Sequence, residues 1–164
     1  FHNQIRDGGP VTVTDGDMTR FFLIYEGIAD LLLTAIQRTD GGEVFVRKMD
    51  AIRIGDLAEG MIEALAPQYN YDPADITVDY IGHRIGETMH EEIMTEREAE
   101  RALESDSIYA IPPQETGRYL THDGIDGFEP AESIVRSSKD APKLNKEEII
   151  SLLQRNGHMG GLLD

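Results

Sequence analysis

At 164 residues the chain suits one domain or one substantial part of a larger protein, and a compact fold of this length buries roughly 70% of its unfolded surface. It has no cysteine, which excludes disulfides and thiolate metal sites, and no apolar run near the ~20 residues of a membrane helix. With 31 Asp+Glu against 15 Lys+Arg the net charge is −16, a surface that repels nucleic acid and anionic membranes.

Only four of the cations are lysines: Lys48, Lys139, Lys143 and Lys146. At ~1 M salt the Debye length falls to ~3 Å and self-repulsion is largely screened. Abundant acid with scarce lysine therefore suggests a halophilic cytoplasm, with an ordinary acidic protein as the plainer alternative. The chain opens on "FHNQIRDGG", without an initiator Met or a basic-then-apolar signal pattern, and that start reads as a cut through a longer protein.

In chain order, "FHNQIRDGG" predicts the last turns of a helix closed by Gly8-Gly9. Strands follow at 11–14 and 20–25, separated by the turn "DGD"; the second opens on Arg20 and continues apolar to Tyr25, as a buried segment would. Ile28, Leu31, Leu32, Ala35 and Ile36 form a helical stripe ended by "DGG" at 40–42. "EVFV" at 43–46 reads as a short strand. Asp56 is a candidate N-cap for a helix with Leu57, Met61, Ala64 and Leu65 on one face, stopped by Pro67.

"ITVDYI" at 76–81 alternates as a half-exposed strand, and "TERE" at 95–98 is a capping box opening a helix to about Glu104. "IYAIPP" reads as a short extended piece. Residues 114–142, rich in Gly, Asp, Ser and Pro, read as an irregular excursion. The last helix carries an Asn145–Glu148 box, a Leu144–Ile149 staple and a close at Asn156-Gly157. The order predicts an α/β or mixed α+β fold with strands too few and short for a complete doubly wound sheet. Three divisions are expected: 1–112, the excursion 113–142, and a helix with tail 143–164.

Three places could carry chemistry. Arg20 stands at the head of a strand in an acidic chain, so something anionic is expected opposite: a ligand, or Asp15 or Asp17 across the turn. In "IGHRIGETMHEE" at 81–92, Arg84 lies in a loop just past a strand end, where its rigid fork can take two phosphate oxygens. A plain ion pair with Glu87 is the alternative. His83, His90, Glu91 and Glu92 lack an HExxH spacing, and a solvated face is the better reading than a metal site. Ser137 and Ser138 sit in a polar loop with no His near in sequence, which argues against a nucleophile. There is no GxGxxG, no GxxxxGK[ST], and no tyrosine with a lysine four residues on.

Three segments together resemble one family: "GGPVTVTDGDMTRFF", "GGEVFVRKMDAIRIGDLAEGMI" and "IGHRIGETMHEEIMTEREAERALE". They are similar to the C-terminal half of extended short-chain dehydrogenase/reductases that act on nucleotide sugars. The likeness is to the polysaccharide-biosynthesis type, which includes UDP-N-acetylglucosamine 4,6-dehydratases and related epimerases. It covers about residues 1–112, with a weaker echo at 136–153. Gly16, Asp50 and Ile85 stand where that family usually has proline, and Thr88 where it has lysine.

The resemblance implies a C-terminal substrate-binding lobe of a Rossmann-type enzyme, with "GGEVFV" as a candidate last Rossmann strand. It implies an upstream Rossmann half that holds NAD or NADP and the Tyr-Lys catalytic pair, so no catalytic or cofactor-binding residue is assigned here. It assigns Arg20 and Arg84 to the UDP diphosphate, Val13 and Thr14 to the strand beside the uridine, and Glu87 to the loop lining that pocket. Oxidation at C4 of the sugar, loss of water across C5 and C6, and hydride return would make a dehydratase; hydride return to the other face would make an epimerase. A cytoplasmic enzyme, a homo-oligomer at full length, is implied, with this chain alone inactive. A non-catalytic sugar-nucleotide-binding module is the alternative from another class.

Overall fold

The computed structural model describes residues 1–113 and 124–155. Helix α1 (His2–Arg6) leads to strands β1 (Val11–Val13) and β2 (Thr19–Phe21), then helix α2 (Tyr25–Arg38). Strands β3 (Val44–Arg47) and β4 (Ala51–Arg53) precede helix α3 (Ile54–Leu65) and a 3-10 turn, Ala66–Tyr69. Strand β5 (Val78–Tyr80), the short helix α4 (Glu96–Ala99), strands β6 (Leu103–Glu104), β7 (Ile108–Ile111) and β8 (Glu129–Pro130), and helix α5 (Lys146–Arg155) follow. The mixture of parallel and antiparallel strands with helices is the α/β class expected. Among the described residues, no helix is long and apolar enough to cross a membrane.

The chain forms two compact units: Phe1–Phe22 with Asp50–Glu91 and the segment from Pro142, and Leu23–Met49 with Glu92–Ala141. The linear divisions 1–112, 113–142 and 143–164 do not follow these units, because each is closed by strand and helix partners drawn from distant stretches.

In the first unit β1 and β5 pair in parallel, Val11 opposite Val78 and Val13 opposite Tyr80, while β2 and β4 pair antiparallel with Arg20 opposite Ile52. Helix α3 packs on α1 and α5, and Ile5, Val11, Ile52, Ile62, Leu65 and Ile149 form the centre of one core. The caps predicted for α5 are present: the Asn145 side chain accepts from Glu148 N at 2.9 Å and the Glu148 carboxylate accepts from Asn145 N at 2.8 Å. The expected close at Asn156-Gly157 lies outside the described residues. Asp56 is not the N-cap of α3. That end is met by backbone instead, Ile54 N donating to Met18 O at 2.9 Å and Gly55 N to Gly16 O at 3.0 Å. Two of the orphan amides of a helix start are thereby satisfied without a capping side chain.

The second unit holds an antiparallel sheet in the order β3-β7-β6-β8 over a small core of Met94, Ala102, Tyr109 and Ile111. The Thr95–Glu98 capping box is present, but α4 ends at Ala99 and Leu103–Glu104 is strand. The expected strand 20–25 also breaks, because the extended backbone stops at Phe21 and α2 starts at Tyr25. Leu23 and Tyr25 are exposed, so the apolar run is not a buried strand. Of the stripe predicted on α2, Ile28, Leu32 and Ile36 are exposed rather than in the core.

The turn before β3 is tightly bonded. The Glu43 carboxylate accepts from the Thr39 hydroxyl at 2.6 Å and from the amides of Gly41 and Asp40 at 2.9 and 3.2 Å. Burial pushes this carboxyl up, yet those donors outweigh it and hold it at about 2.

Candidate functional site

Two parallel strands that end together leave a crevice beyond their carboxyl ends, the usual ligand position in such sheets. Here β1 runs into the turn Thr14–Asp17 and β5 runs into the loop 81–87. A cleft of about 510 Å³ opens there, lined by Thr14, the 15–17 turn, Arg53, Gly55, Asp56, Glu59, Tyr80 and the 82–83 segment. All of these belong to the first unit.

The floor of the cleft is fixed by close backbone approach. A β-carbon at position 55 would stand 3.1 Å from Gly16 O and 3.3 Å from its α-carbon, so any larger residue would push the Gly16 backbone by a few tenths of an ångström. The turn above is held at each end by a side-chain partner. Asp15 accepts from Asp17 N at 2.8 Å and meets His83 Nε2 at 2.9 Å, while Asp17 pairs with Arg53. The Asp17 amide, and then the His83 ring, hold the Asp15 carboxyl below the usual carboxylate range. Both acids named as alternative partners of Arg20 are therefore engaged elsewhere.

Arg20 faces the segment 88–91. Its Nη1 donates to Thr19 O at 2.8 Å and Met89 O at 3.4 Å, and its Nη2 donates to Thr88 O at 3.0 Å. Its Nε lies 3.8 Å from the Glu91 carboxylate, whose other oxygen accepts Phe21 N at 2.9 Å. Thr19 adds its amide to Met89 O at 2.9 Å and its hydroxyl to His90 Nδ1 at 2.8 Å. Arg20 thus laces β2 to a segment about seventy residues on. Glu91 is thus not simply part of a solvated face, and no spacing rule reveals its pairing with β2.

Arg84 is the opposite case. Its guanidinium is exposed and makes no hydrogen bond or ion pair with any described residue. What holds the residue is its backbone: Glu87 N donates to Arg84 O at 3.1 Å, and Arg84 N donates to the Glu87 carboxylate at 3.1 Å. Gly86, at φ +90°, supplies the positive angle that a type II turn needs at its third position. Glu87 consequently serves the turn and not the guanidinium, so the plain ion pair is not formed.

Val13 is almost fully buried, and its carbonyl accepts Ile81 N at 2.9 Å. Thr14 lines the cleft, with its hydroxyl 3.4 Å from Met18 Sδ. His83 and His90 take partners in different places, Asp15 and Thr19. In the second unit Ser138 is buried, and the Ser137 hydroxyl accepts Lys139 N at 3.2 Å.

A dinucleotide does not fit the β1 turn. The first two amides of α3 are already bound to the carbonyls of Met18 and Gly16, so the helix start at that turn has no free donors for a dinucleotide's phosphates. No chemistry of a nicotinamide group is therefore assigned to these residues.

Residues 1–113 match the family described as polysaccharide biosynthesis protein. A chain from Methanocaldococcus jannaschii described as an uncharacterized membrane protein is 40% identical over 95% of this chain and 44% of its own length. The UDP-N-acetylglucosamine 4,6-dehydratase (inverting) of Campylobacter jejuni is 32% identical over 69% of this chain and 31% of its own. The UDP-glucose 4-epimerase of Rickettsia rickettsii is 32% identical over 93% of this chain and 43% of its own. Among solved structures, Pen from Bacillus thuringiensis superposes with a TM-score of 0.80 at 31% identity, over 94% of this chain and 43% of that one. The chain spans less than half the length of these relatives.

Proposed function

The chain belongs to the polysaccharide biosynthesis protein family, and from that premise we propose that it forms the sugar-nucleotide-binding part of an NAD(P)-dependent UDP-N-acetylglucosamine 4,6-dehydratase. The observation that carries this reading is Arg84. A guanidinium with no hydrogen-bonding or charged partner among the described residues, on a turn braced at both backbone ends, suits an anion that comes from outside. In this reading Arg84 takes the diphosphate directly. Arg20 joins it by exchanging the carbonyls of Thr88 and Met89 for phosphate oxygens. Val13 and Thr14 form the strand beside the uridine, and Glu87 keeps the turn closed. The NAD or NADP, and the catalytic residues, reside in the half of the relatives' length that this chain does not match.

A second reading, a nucleotide-sugar 4-epimerase, is favoured by coverage. The epimerase relative aligns over 93% of this chain, the dehydratase over 69%. Both readings place the same groups on the same diphosphate.

Calorimetric titration with UDP tests the site in the polypeptide extended to the relatives' length. A charged hydrogen-bonded contact contributes ~1.5–3 kcal/mol, so Arg84→Ala should weaken UDP binding by roughly tenfold or more and leave thermal unfolding unchanged, since the exposed guanidinium bonds to no described residue. Equal affinity of the two proteins would overturn the assignment.

A further inference from the structure

Arg84 can serve an anion only where its turn is held in place, and the segment 82–87 is lightly tethered. Two glycines with positive φ, Gly82 at +80° and Gly86 at +90°, stand either side of Arg84, and Ile85 between them is fully exposed. The bonds between Arg84 and Glu87 close the turn on itself and anchor it to nothing else. Among the described residues, the one hydrogen bond that leaves 82–87 for the rest of the fold joins His83 Nε2 to Asp15 Oδ2, at 2.9 Å. It ties the residue next to Arg84 to the turn after β1, where Asp15 is itself fixed by the Asp17 amide.

The cleft beside that contact is acidic. Asp15, Asp17, Asp56 and Glu59 line it with Arg53 and Tyr80, so four carboxylates stand against one guanidinium. On the loop itself Arg84 and Glu87 add one charge of each sign. Arg53 is already paired with Asp17, which leaves the His83 ring as the partner of Asp15. The Asp17 amide, and then that ring, hold the Asp15 carboxyl below the usual carboxylate range, so Asp15 stays ionised wherever an imidazole titrates. A neutral ring leaves this charge facing any diphosphate that reaches Arg84. A protonated ring cancels it.

We propose that His83 is a positioning residue for the anion site: its ring bond to Asp15 holds the Arg84 turn against the β1 turn, and its proton cancels the Asp15 charge when a diphosphate arrives. This role rests on the assignment of Arg84 to a diphosphate and adds a proton to it. Anion binding then takes up a proton, so affinity falls as the pH rises through the range in which an imidazole ordinarily titrates.

Calorimetric titration with UDP at about pH 6 and about pH 8, at low salt, compares wild type with His83→Gln and His83→Leu in the polypeptide extended to the relatives' length. A glutamine amide reaches the place of Nε2 and donates to Asp15, yet it takes no proton. His83→Gln should match wild type at about pH 8 and bind roughly two- to fivefold more weakly at about pH 6, the range of an exposed charge pair. His83→Leu should bind more weakly by roughly twofold or more at both. Ionisation of UDP itself is common to all three proteins and cancels in the ratios. Amide exchange over 82–87, read without ligand, should quicken in His83→Leu and not in His83→Gln. A ratio of His83→Gln to wild type that is equal at both pH values overturns the proposal. So does a His83→Leu protein that matches wild type in binding or in exchange. Inorganic pyrophosphate in place of UDP should give the same ratios. Pyrophosphate binding with this pH dependence but no UDP binding sinks the nucleotide-sugar reading alone. UDP binding with a flat ratio sinks this inference alone, and binding of neither probe sinks both.

Discussion

Helices α2 and α3 carry the same kind of sequence signal and meet opposite fates. Each spans three to four turns with apolar residues at helical spacing. In α3, Ala58, Ile62 and Leu65 go into the core of the first unit, packed with residues of α1 and α5. In α2 the one buried residue is Gly27, and the small core of the second unit includes none of its side chains. An apolar stripe states that a face will be covered. It does not state by what, because burial needs a complementary surface from elsewhere in the chain or from outside it.

The sharpest way to break this comparison is truncation at matched positions. Leu65→Ala in α3 removes a side chain that is 1% exposed and should cost about 2–5 kcal/mol in urea unfolding. Leu32→Ala in α2 should cost no more than about 0.5 kcal/mol in the same 164-residue chain. Similar losses at both sites would mean that α2 already has its partner.

A smaller effect is expected at the cleft. Gly55→Ala drives a methyl against the Gly16 backbone, and overpacking of that kind costs about 1–3 kcal/mol. The variant should also loosen the 15–17 turn, seen as faster amide exchange there while α5 is unaffected. A fully stable variant with an unchanged turn would show that the floor of the cleft yields easily.

The smallest effect separates the two units by pH. Glu43 in the second unit is held at about 2 against an ordinary 4.5. A depressed carboxyl stabilises the fold above its unfolded value and loses that contribution as the pH falls through its folded one. Glu43→Gln should therefore reduce stability by about 1–2 kcal/mol at neutral pH, the scale of a hydrogen-bonded charge. The gap to wild type should shrink between pH 4.5 and 2, when followed by urea unfolding across that range. A gap that persists undiminished at pH 2 would contradict the bonding seen at this turn.

How much was legible follows from distance along the chain. The Thr95–Glu98 and Asn145–Glu148 boxes were readable because donor and acceptor sit three residues apart and need only one turn of helix. The turn at 84–87 was harder. Arg84 and Glu87 suggested an ion pair, but the carboxylate went to the backbone amide, since a closed turn brings that group nearer than a long side chain. The α3 start is not marked by Asp56 because its cap is two carbonyls from a loop some forty residues earlier, and a carbonyl has no sequence signature.

By itself, then, the sequence determined the acidic surface, the start of each capped helix, the α/β class and, through three ordered motifs, the family. Tertiary structure alone decided that Arg20 would grip Thr88, Met89 and Glu91, that the Arg84 guanidinium would bond to no described residue, and that Ile28, Leu32 and Ile36 of the α2 stripe would be exposed. The reason is physical: short-range bonds are set by spacing, whereas contacts across seventy residues form only when the whole chain closes and many weak preferences are satisfied together.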